Sequence, residues 1–234
     1  MSSTVWLLTA GFGVLMLLGV PFAFAIGLVV AAALTLADID PILLPQTLMA
    51  GTQSFSLLAI PFFMMAGELM TAGGLSQRLI NIADVFVRHL TGGLGHVTVL
   101  AAAIFAAISG SAPATTAAIG SIMIPAMVER GYSKPFAAAL AVSAGILAPL
   151  IPPSIAFVIW GVISEQSISR LFSAGVLPGL MMALSLMAVC WWYAKRHQIG
   201  LQKRASWGEV KKALKEGVWA LLAPVIVLGG IYGG

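Results

Sequence analysis

Long apolar runs separated by short polar breaks dominate this chain and predict a set of membrane helices. The first run, Val5–Leu36, would measure roughly 48 Å as one helix, against a hydrocarbon core of about 30 Å. Gly19-Val20-Pro21 interrupts the run. Because glycine often ends a helix and proline often begins one, two short helices, Val5–Leu18 and Pro21–Leu36, are predicted. A single tilted and kinked helix is the alternative.

The next segments combine a loop, an apolar helix and an amphipathic helix. An acidic loop at Asp38–Pro41 leads towards an apolar helix over Phe55–Met70, which Pro61 is expected to kink and which places Glu68 at the membrane interface. Leu75–Leu90 is different, because its apolar residues recur at helical spacing among charged ones. That pattern predicts a helix lying along the membrane surface or bracing other helices. The apolar stripe consists of Leu75, Leu79, Ile82, Ala83, Phe86 and Leu90.

Two breaks lie between apolar limbs that are each too short to span a membrane. The first, Ser109–Thr116, separates Leu94–Ile108 from Ala117–Val128 and predicts a re-entrant hairpin. The second, Gly145–Ser154, separates two limbs that together match one span, so residues 135–163 are predicted to form a discontinuous helix. In hydrocarbon, irregular backbone survives only where it is buried in protein or lines a cavity. The two breaks therefore predict a functional site inside the protein.

The remaining chain contains a complete span and a basic segment. Leu171–Ala194 is long enough to cross and ends in an aromatic belt at Trp191–Tyr193. Lys195–Glu216 holds seven of the twelve lysines and arginines, which predicts a cytoplasmic interfacial segment and leaves the acidic loop outside. Gly217–Tyr232 is expected to begin another span.

Composition supports an all-α polytopic membrane protein, since 60% of the residues are hydrophobic and 9% are charged. No group of cysteine, histidine and carboxylate residues has metal-ligand spacing, and anionic lipid, not nucleic acid, is the expected partner of the basic segment. An intramembrane hydrolase would need Ser109 or Ser111 within hydrogen-bond reach of His89 or His96. Both histidines are predicted at the membrane edge, so no enzyme is expected.

The chemistry of the two breaks suits a transporter site. Ser109, Ser111, Thr115 and Thr116 offer hydroxyl groups, and the glycines and prolines release backbone carbonyls that could coordinate sodium. The helices that begin after each break present positive N-termini suited to a carboxylate. The alternative is that the small residues only pack helices closely and that the prolines only kink them.

A short internal similarity points to inverted repeats. Val5-Trp6-Leu7-Leu8 resembles Val218-Trp219-Ala220-Leu221. Five predicted crossings separate the two copies, and an odd number inverts the second one. Inverted repeats are a common architecture of secondary transporters.

Four stretches together resemble the large membrane subunit of the tripartite ATP-independent periplasmic (TRAP) transporters of the DctM/SiaM type. The most specific are Phe105–Met127, FAAISGSAPATTAAIGSIMIPAM, and Ala144–Ser154, AGILAPLIPPS. Ile60–Met70, IPFFMMAGELM, and the final LAPVIVLGGIYGG are similar to the same family.

The resemblance implies a bacterial inner-membrane importer of small organic acids that is coupled to a sodium gradient. It implies two partners, a small membrane subunit and a soluble periplasmic binding protein that delivers the substrate. The implied fold is similar to elevator-type carriers, with a scaffold and a transport domain of hairpins and broken helices.

The resemblance also assigns residues. Sodium is expected between the hairpin tip and the unwound segment, at Ser109, Gly110, Ser111, Ala112, Gly145, Ala148 and Pro149. Substrate is expected near Thr115, Thr116, Pro153 and Ser154. The implied organisation is scaffold helices with an interfacial arm helix over residues 1–93, half of a transport domain over 94–194 (hairpin 94–128, broken helix 135–163, span 171–194), a basic cytoplasmic interfacial segment over 195–216 and the truncated start of a second repeat over 217–234.

One departure bears on function, because the family's large subunit is about twice as long as this chain. A fragment or truncated product is therefore expected, which would not complete a transport cycle alone. A sodium/dicarboxylate symporter that needs no binding protein is the first alternative, and a non-transporting membrane assembly subunit is the second.

Overall fold

The computed structural model describes residues 3–199 and 202–232, and within those ranges the chain is helical with no strand. A 3₁₀ turn at Phe55–Leu58 precedes α4. The α-helices are α1 (Ser3–Leu17), α2 (Phe22–Leu36), α3 (Leu43–Thr52), α4 (Ala59–Ala72), α5 (Leu75–Val87), α6 (Gly93–Ser109), α7 (Ala112–Glu129), α8 (Lys134–Gly145), α9 (Ile155–Ser164), α10 (Ile168–Arg196) and α11 (Trp207–Tyr232). They divide into two compact units, Met1–Phe55 and Ser56–Gly234. The predicted chain end at Gly233-Gly234 lies outside the described residues.

The first unit confirms a helix pair and adds a helix. Gly19 has φ +79° in the turn between α1 and α2, and the Phe12 and Phe22 rings meet edge to face at 5.5 Å. The single kinked helix is therefore wrong. The sequence analysis missed α3, which starts after the Ile42 N–H donates to Asp40 Oδ1 at 3.0 Å. Pro45 lies in the first turn of α3, where a missing N–H leaves no helical bond unmade.

In the second unit, the kink expected at Pro61 is absent because α4 begins at Ala59. Pro61 therefore occupies the first turn of the helix and not its interior. At that position its ring and its missing N–H disturb no helical hydrogen bond.

Helix α5 braces its neighbours, since it packs against α6 and α11. Leu79, Ile82 and Ala83 of the predicted stripe are buried. Phe86 and Leu90 of the stripe are 49% and 41% exposed, so the packed face of α5 covers only part of the stripe. Ile80 is buried instead, because two neighbouring helices cover a wider face of α5 than one stripe.

Helix α10 has the length and hydropathy of a complete membrane span, as predicted for residues 171–194. Its end packs on the start of α6, where a methyl group added to Gly95 would lie 2.9 Å from Cys190 Sγ. Trp191 and Trp192 are exposed, whereas Tyr193 is half-buried. Its ring stacks on Phe136 with the ring centroids 3.6 Å apart.

The predicted boundary at Gly217 is wrong, because α11 continues through it from Trp207 to Tyr232. Gly217 lies inside the helix and packs closely on α5. A methyl group there would overlap Ile82 Cδ1 of α5. The basic segment and the following apolar segment therefore share one helix.

A cluster of charged groups joins the end of α5 to the start of α11. Arg88 Nη2 donates to Glu209 at 2.9 Å, and Arg88 Nη1 donates to Asp84 at 3.2 Å. Arg88 Nε donates to the Lys203 carbonyl oxygen at 3.1 Å. The pKa of Glu209 is lowered, first by the hydrogen bond from the Ser206 N–H and then by the hydrogen bond from Arg88.

This cluster predicts an acid-sensitive start of α11. A carboxyl group whose pKa is lowered on folding stabilises the fold above its unfolded pKa, and that contribution is lost as pH falls through the folded pKa. Amide hydrogen-exchange protection of residues 206–212 should therefore decrease when pH falls below the ordinary value of 4.5. Glu209→Gln should remove this pH dependence, whereas Glu216→Gln should keep it. An unchanged pH dependence in Glu209→Gln would contradict the assignment.

Candidate functional site

The predicted hairpin is present as two antiparallel helices, α6 and α7. Near its base, Thr98 Oγ1 of α6 donates to Met127 Sδ of α7 at 3.4 Å. At its tip, Ser109 Oγ and Thr115 Oγ1 form a buried hydrogen bond of 2.7 Å. The first contact holds the start of α6 beside the end of α7, and the second holds the end of α6 beside the start of α7.

The break at the tip is narrower than predicted. Only Gly110 and Ser111 are non-helical, whereas the sequence suggested a break from Ser109 to Thr116. Gly110 ends α6 in the left-handed conformation at φ +58°. Ser111 begins α7 as its N-cap, and its Oγ accepts a hydrogen bond from the Ala114 N–H at 3.5 Å.

The second break lies between Gly145, the last residue of α8, and Ile155, the first residue of α9. It is less unwound than expected. The Ala148 N–H donates to the Gly145 carbonyl at 3.1 Å, and the Ile151 N–H donates to the Leu147 carbonyl at 2.8 Å. Turns therefore continue to Ile151 and satisfy some of the carbonyls that the sequence suggested were free.

The end of this segment is held by Ser154. Its Oγ donates to the Pro149 carbonyl oxygen at 2.8 Å and accepts from the Phe157 N–H at 3.3 Å. Ser154 is thus the N-cap of α9, as Ser111 is of α7. The Pro152–Pro153 peptide bond is cis.

The two breaks are in direct contact. The Ile155 N–H donates to the Gly110 carbonyl oxygen at 3.4 Å, and a methyl group on Gly110 would lie 2.8 Å from the Pro153 oxygen. At the other end of the second break, a methyl group on Gly145 would overlap Thr116 Oγ1. The structure therefore brings together the two residue sets that the sequence analysis assigned to one site.

Helix α10 packs closely against the second break at two glycines, Gly175 and Gly179. A methyl group on Gly175 would overlap the Leu150 carbonyl oxygen and the Phe157 ring. A methyl group on Gly179 would lie 2.9 Å from Ile151 Cγ1. Small residues allow such close approach of backbones between membrane helices.

The predicted substrate residues differ in their surroundings. Thr115 and Ser154 are 0% and 1% exposed, and their hydroxyls bond within the chain. Thr116 is half-buried against Gly145, and Pro153 is buried against Gly110. Besides these side chains, the site presents the first turns of α7 and α9, whose N–H groups carry partial positive charge.

A cavity of about 540 Å³ lies on the α4 side of the hairpin tip. Ser109 and Ser111 line it, together with three polar residues that the sequence analysis had not assigned to a site: Glu68, Thr71 and Ser121. Glu68 had been expected at the membrane interface. An acidic side chain within an apolar helix was the available signal, but the sequence does not show that α4 lies against the tip.

The histidines lie away from the tip serines. His96 is in the first turn of α6, and its Nε2 is 2.9 Å from the Thr91 carbonyl oxygen. Ser109 is thirteen residues further along α6, which corresponds to about 20 Å. The pair therefore lacks the contact that a nucleophile and its base require.

The family model of the tripartite ATP-independent periplasmic transporter DctM component matches residues 9–234. The chain belongs to this family. This confirms the resemblance drawn from the hairpin-tip and second-break motifs.

Relatives in the DctM family are named as permeases. The chain is 48% identical over 218 residues to the 2,3-diketo-L-gulonate TRAP transporter large permease protein of Escherichia coli (strain K12), covering 93% of this chain and 51% of that protein. It is 47% identical to the isethionate TRAP transporter permease protein DctMQ of Oleidesulfovibrio alaskensis, covering 95% and 35%. It is 41% identical to the C4-dicarboxylate TRAP transporter large permease protein DctM of Rhodobacter capsulatus, covering 94% and 53%. The chain thus spans about half the length of most of these relatives, or less.

Proposed function

We propose that this chain forms the first repeat of a sodium-coupled, elevator-type importer of small organic acids, multi-pass in the bacterial inner membrane. A periplasmic binding protein delivers the substrate, and a small membrane subunit completes the transporter. Membership of the DctM family supports the transporter class. The contact between Gly110 and the Pro153–Ile155 segment is the main observation in support of the site, because it places the two breaks side by side.

Sodium binds between the hairpin tip and the second break. The tip contributes Ser109, Gly110, Ser111 and Ala112, and the second break contributes Gly145, Ala148 and Pro149. Support comes from the fit of Gly145 against the first turn of α7, where an added methyl group would lie 3.1 Å from the Ala112 carbonyl oxygen. Neutral carbonyl and hydroxyl oxygens suit a hard monovalent cation.

The substrate carboxylate lies near Thr115, Thr116, Pro153 and Ser154. Two helix N-termini, those of α7 and α9, begin beside these residues and favour a negative group. The relatives are named for the transport of a gulonate derivative, isethionate and C4-dicarboxylates. We therefore propose a small organic anion and leave the individual acid to a substrate panel.

Uptake into proteoliposomes tests this function. The assay uses a full-length permease carrying this sequence with its small subunit, labelled organic acids, an imposed sodium gradient, and binding protein present or absent. Ser111→Ala is expected to raise the half-saturating sodium concentration about tenfold, because it removes one proposed oxygen ligand. Ser167→Ala is the matched control, since Ser167 also caps a helix with a 3.5 Å bond but lies at the start of α10.

The outcomes separate the alternatives. Uptake that requires both sodium and binding protein supports the proposal. Sodium-driven uptake without binding protein indicates the symporter alternative. Sodium-independent uptake would show that the two breaks only pack and kink helices.

A further inference from the structure

Glu68 is the only charged side chain among the described residues that line the cavity beside the hairpin tip. It forms no hydrogen bond or ion pair with the residues that the structure describes. The other polar groups on the wall belong to Thr71, Ser109, Ser111 and Ser121. Glu68 is exposed on this wall, and a carboxylate within an apolar membrane segment is tolerated where it faces water or a cation.

The position of Glu68 follows from the packing of α4. A methyl group on the preceding residue, Gly67, would lie 3.5 Å from Ser109 Cα. Helix α4 therefore runs directly against the tip, and the next residue along the helix reaches the cavity wall that Ser109 and Ser111 also line.

The chemistry of this wall favours a cation over an organic acid. A carboxylate attracts sodium and repels another carboxylate, and carboxylate and hydroxyl oxygens are the donors that hard cations prefer. A low-dielectric cleft with charge of one sign also concentrates counter-ions locally. The substrate anion is thus disfavoured on the side of the tip where Glu68 lies.

We propose that this cavity is the path by which the coupling cation reaches the hairpin tip, and that Glu68 concentrates the cation there. The inference rests on the proposed function, because it takes sodium as the coupling ion and the tip as its site. Glu68 acts on the cation before it binds and is not one of its final ligands.

The test measures initial uptake against sodium concentration in the full-length permease with its small subunit, at constant ionic strength maintained with choline chloride. Glu68→Gln should raise the half-saturating sodium concentration about three- to tenfold and leave the rate at saturating sodium unchanged. Glu68→Asp keeps the charge and should retain most of the wild-type affinity. Glu129→Gln is the control, because that exposed carboxylate lies at the far end of α7, about 27 Å along the helix from Ser111.

A second arm varies ionic strength with choline chloride. Screening should raise the half-saturating sodium concentration of the wild-type permease and have a much smaller effect on Glu68→Gln. A structural role of Glu68 would instead lower the saturating rate in both Gln and Asp variants, and that result would overturn the inference.

The two proposals fail differently. Normal sodium affinity in Glu68→Gln, in a permease whose uptake depends on sodium, would overturn this inference alone. Sodium-independent uptake by the wild-type permease would overturn the proposed function and this inference with it.

Discussion

Gly145→Ala is expected to give an unstable permease without measurable uptake. The new methyl group would overlap Thr116 Oγ1 and approach the Ala112 carbonyl oxygen within 3.1 Å. Both neighbours belong to the first five residues of α7, so a retreat of this end of the helix would move the hairpin tip. Overpacking of this kind costs about 3 kcal/mol, and the shift displaces proposed sodium ligands as well. The loss should appear as a lower apparent Tm of the detergent-purified protein.

A double-mutant cycle isolates this contact. Thr116→Ala removes the oxygen that the new methyl group meets, so Gly145→Ala/Thr116→Ala should be more stable than the sum of the single changes by about 1–3 kcal/mol. Gly120→Ala is the matched control in α7, because its methyl group would make ordinary contacts at 3.4 Å and 3.5 Å. If Gly145→Ala were as stable as Gly120→Ala, the close approach of α8 to α7 would be wrong.

Gly110→Ala is expected to reduce uptake at least about tenfold. Alanine at φ +58° costs about 1–2 kcal/mol, and its methyl group would lie 2.8 Å from the Pro153 oxygen. Relief of that contact separates the hairpin tip from the start of α9. Because ligand positions within a site tolerate only small displacements, activity should fall more than stability.

Gly131→Ala separates the cost of a positive φ from the effect of the contact with Pro153. Gly131 also has a positive φ, +91°, but an added methyl group there meets nothing within 4 Å. Gly131→Ala should therefore lower the stability of the permease through its positive φ, with little effect on uptake. Equal loss of uptake in Gly110→Ala and Gly131→Ala would mean that the contact between Gly110 and Pro153 does not contribute to transport.

The positions of both breaks could be predicted from the sequence because helix ends depend on the conformation of the residues that form them. Gly110 and Ser111 are a left-handed helix end and an N-cap, and these roles depend on their own backbone. The extent of the first break was overestimated, since Thr115 and Thr116 were grouped with the tip as polar residues. An N-cap serine followed two residues later by a proline is a helix-start signal that would have placed α7 correctly.

The remaining errors arose from tertiary packing. Gly217 is predicted as a helix boundary because glycine weakens helices, but it lies inside α11 and packs closely against Ile82 of α5. The position of Glu68 in the cavity wall was not predicted, because the packing of α4 against the hairpin tip is not encoded in any local pattern. The residue pattern predicted that the two breaks form one site, and the pairing of particular residues came from the family resemblance. The roles of the scaffold and transport ranges stay predictions.

The unbroken path of α11 has a mechanical consequence. Helix α5 contacts the first ten residues of α11 at two points. Arg88 holds Glu209, and two helical turns further on Arg78 Nη1 donates to the Glu216 carbonyl oxygen at 3.2 Å. These two contacts lie seven residues apart on α11 and ten residues apart around α5, so they align the two helices along that length. A displacement of the charged start of α11 should therefore carry α5 with it.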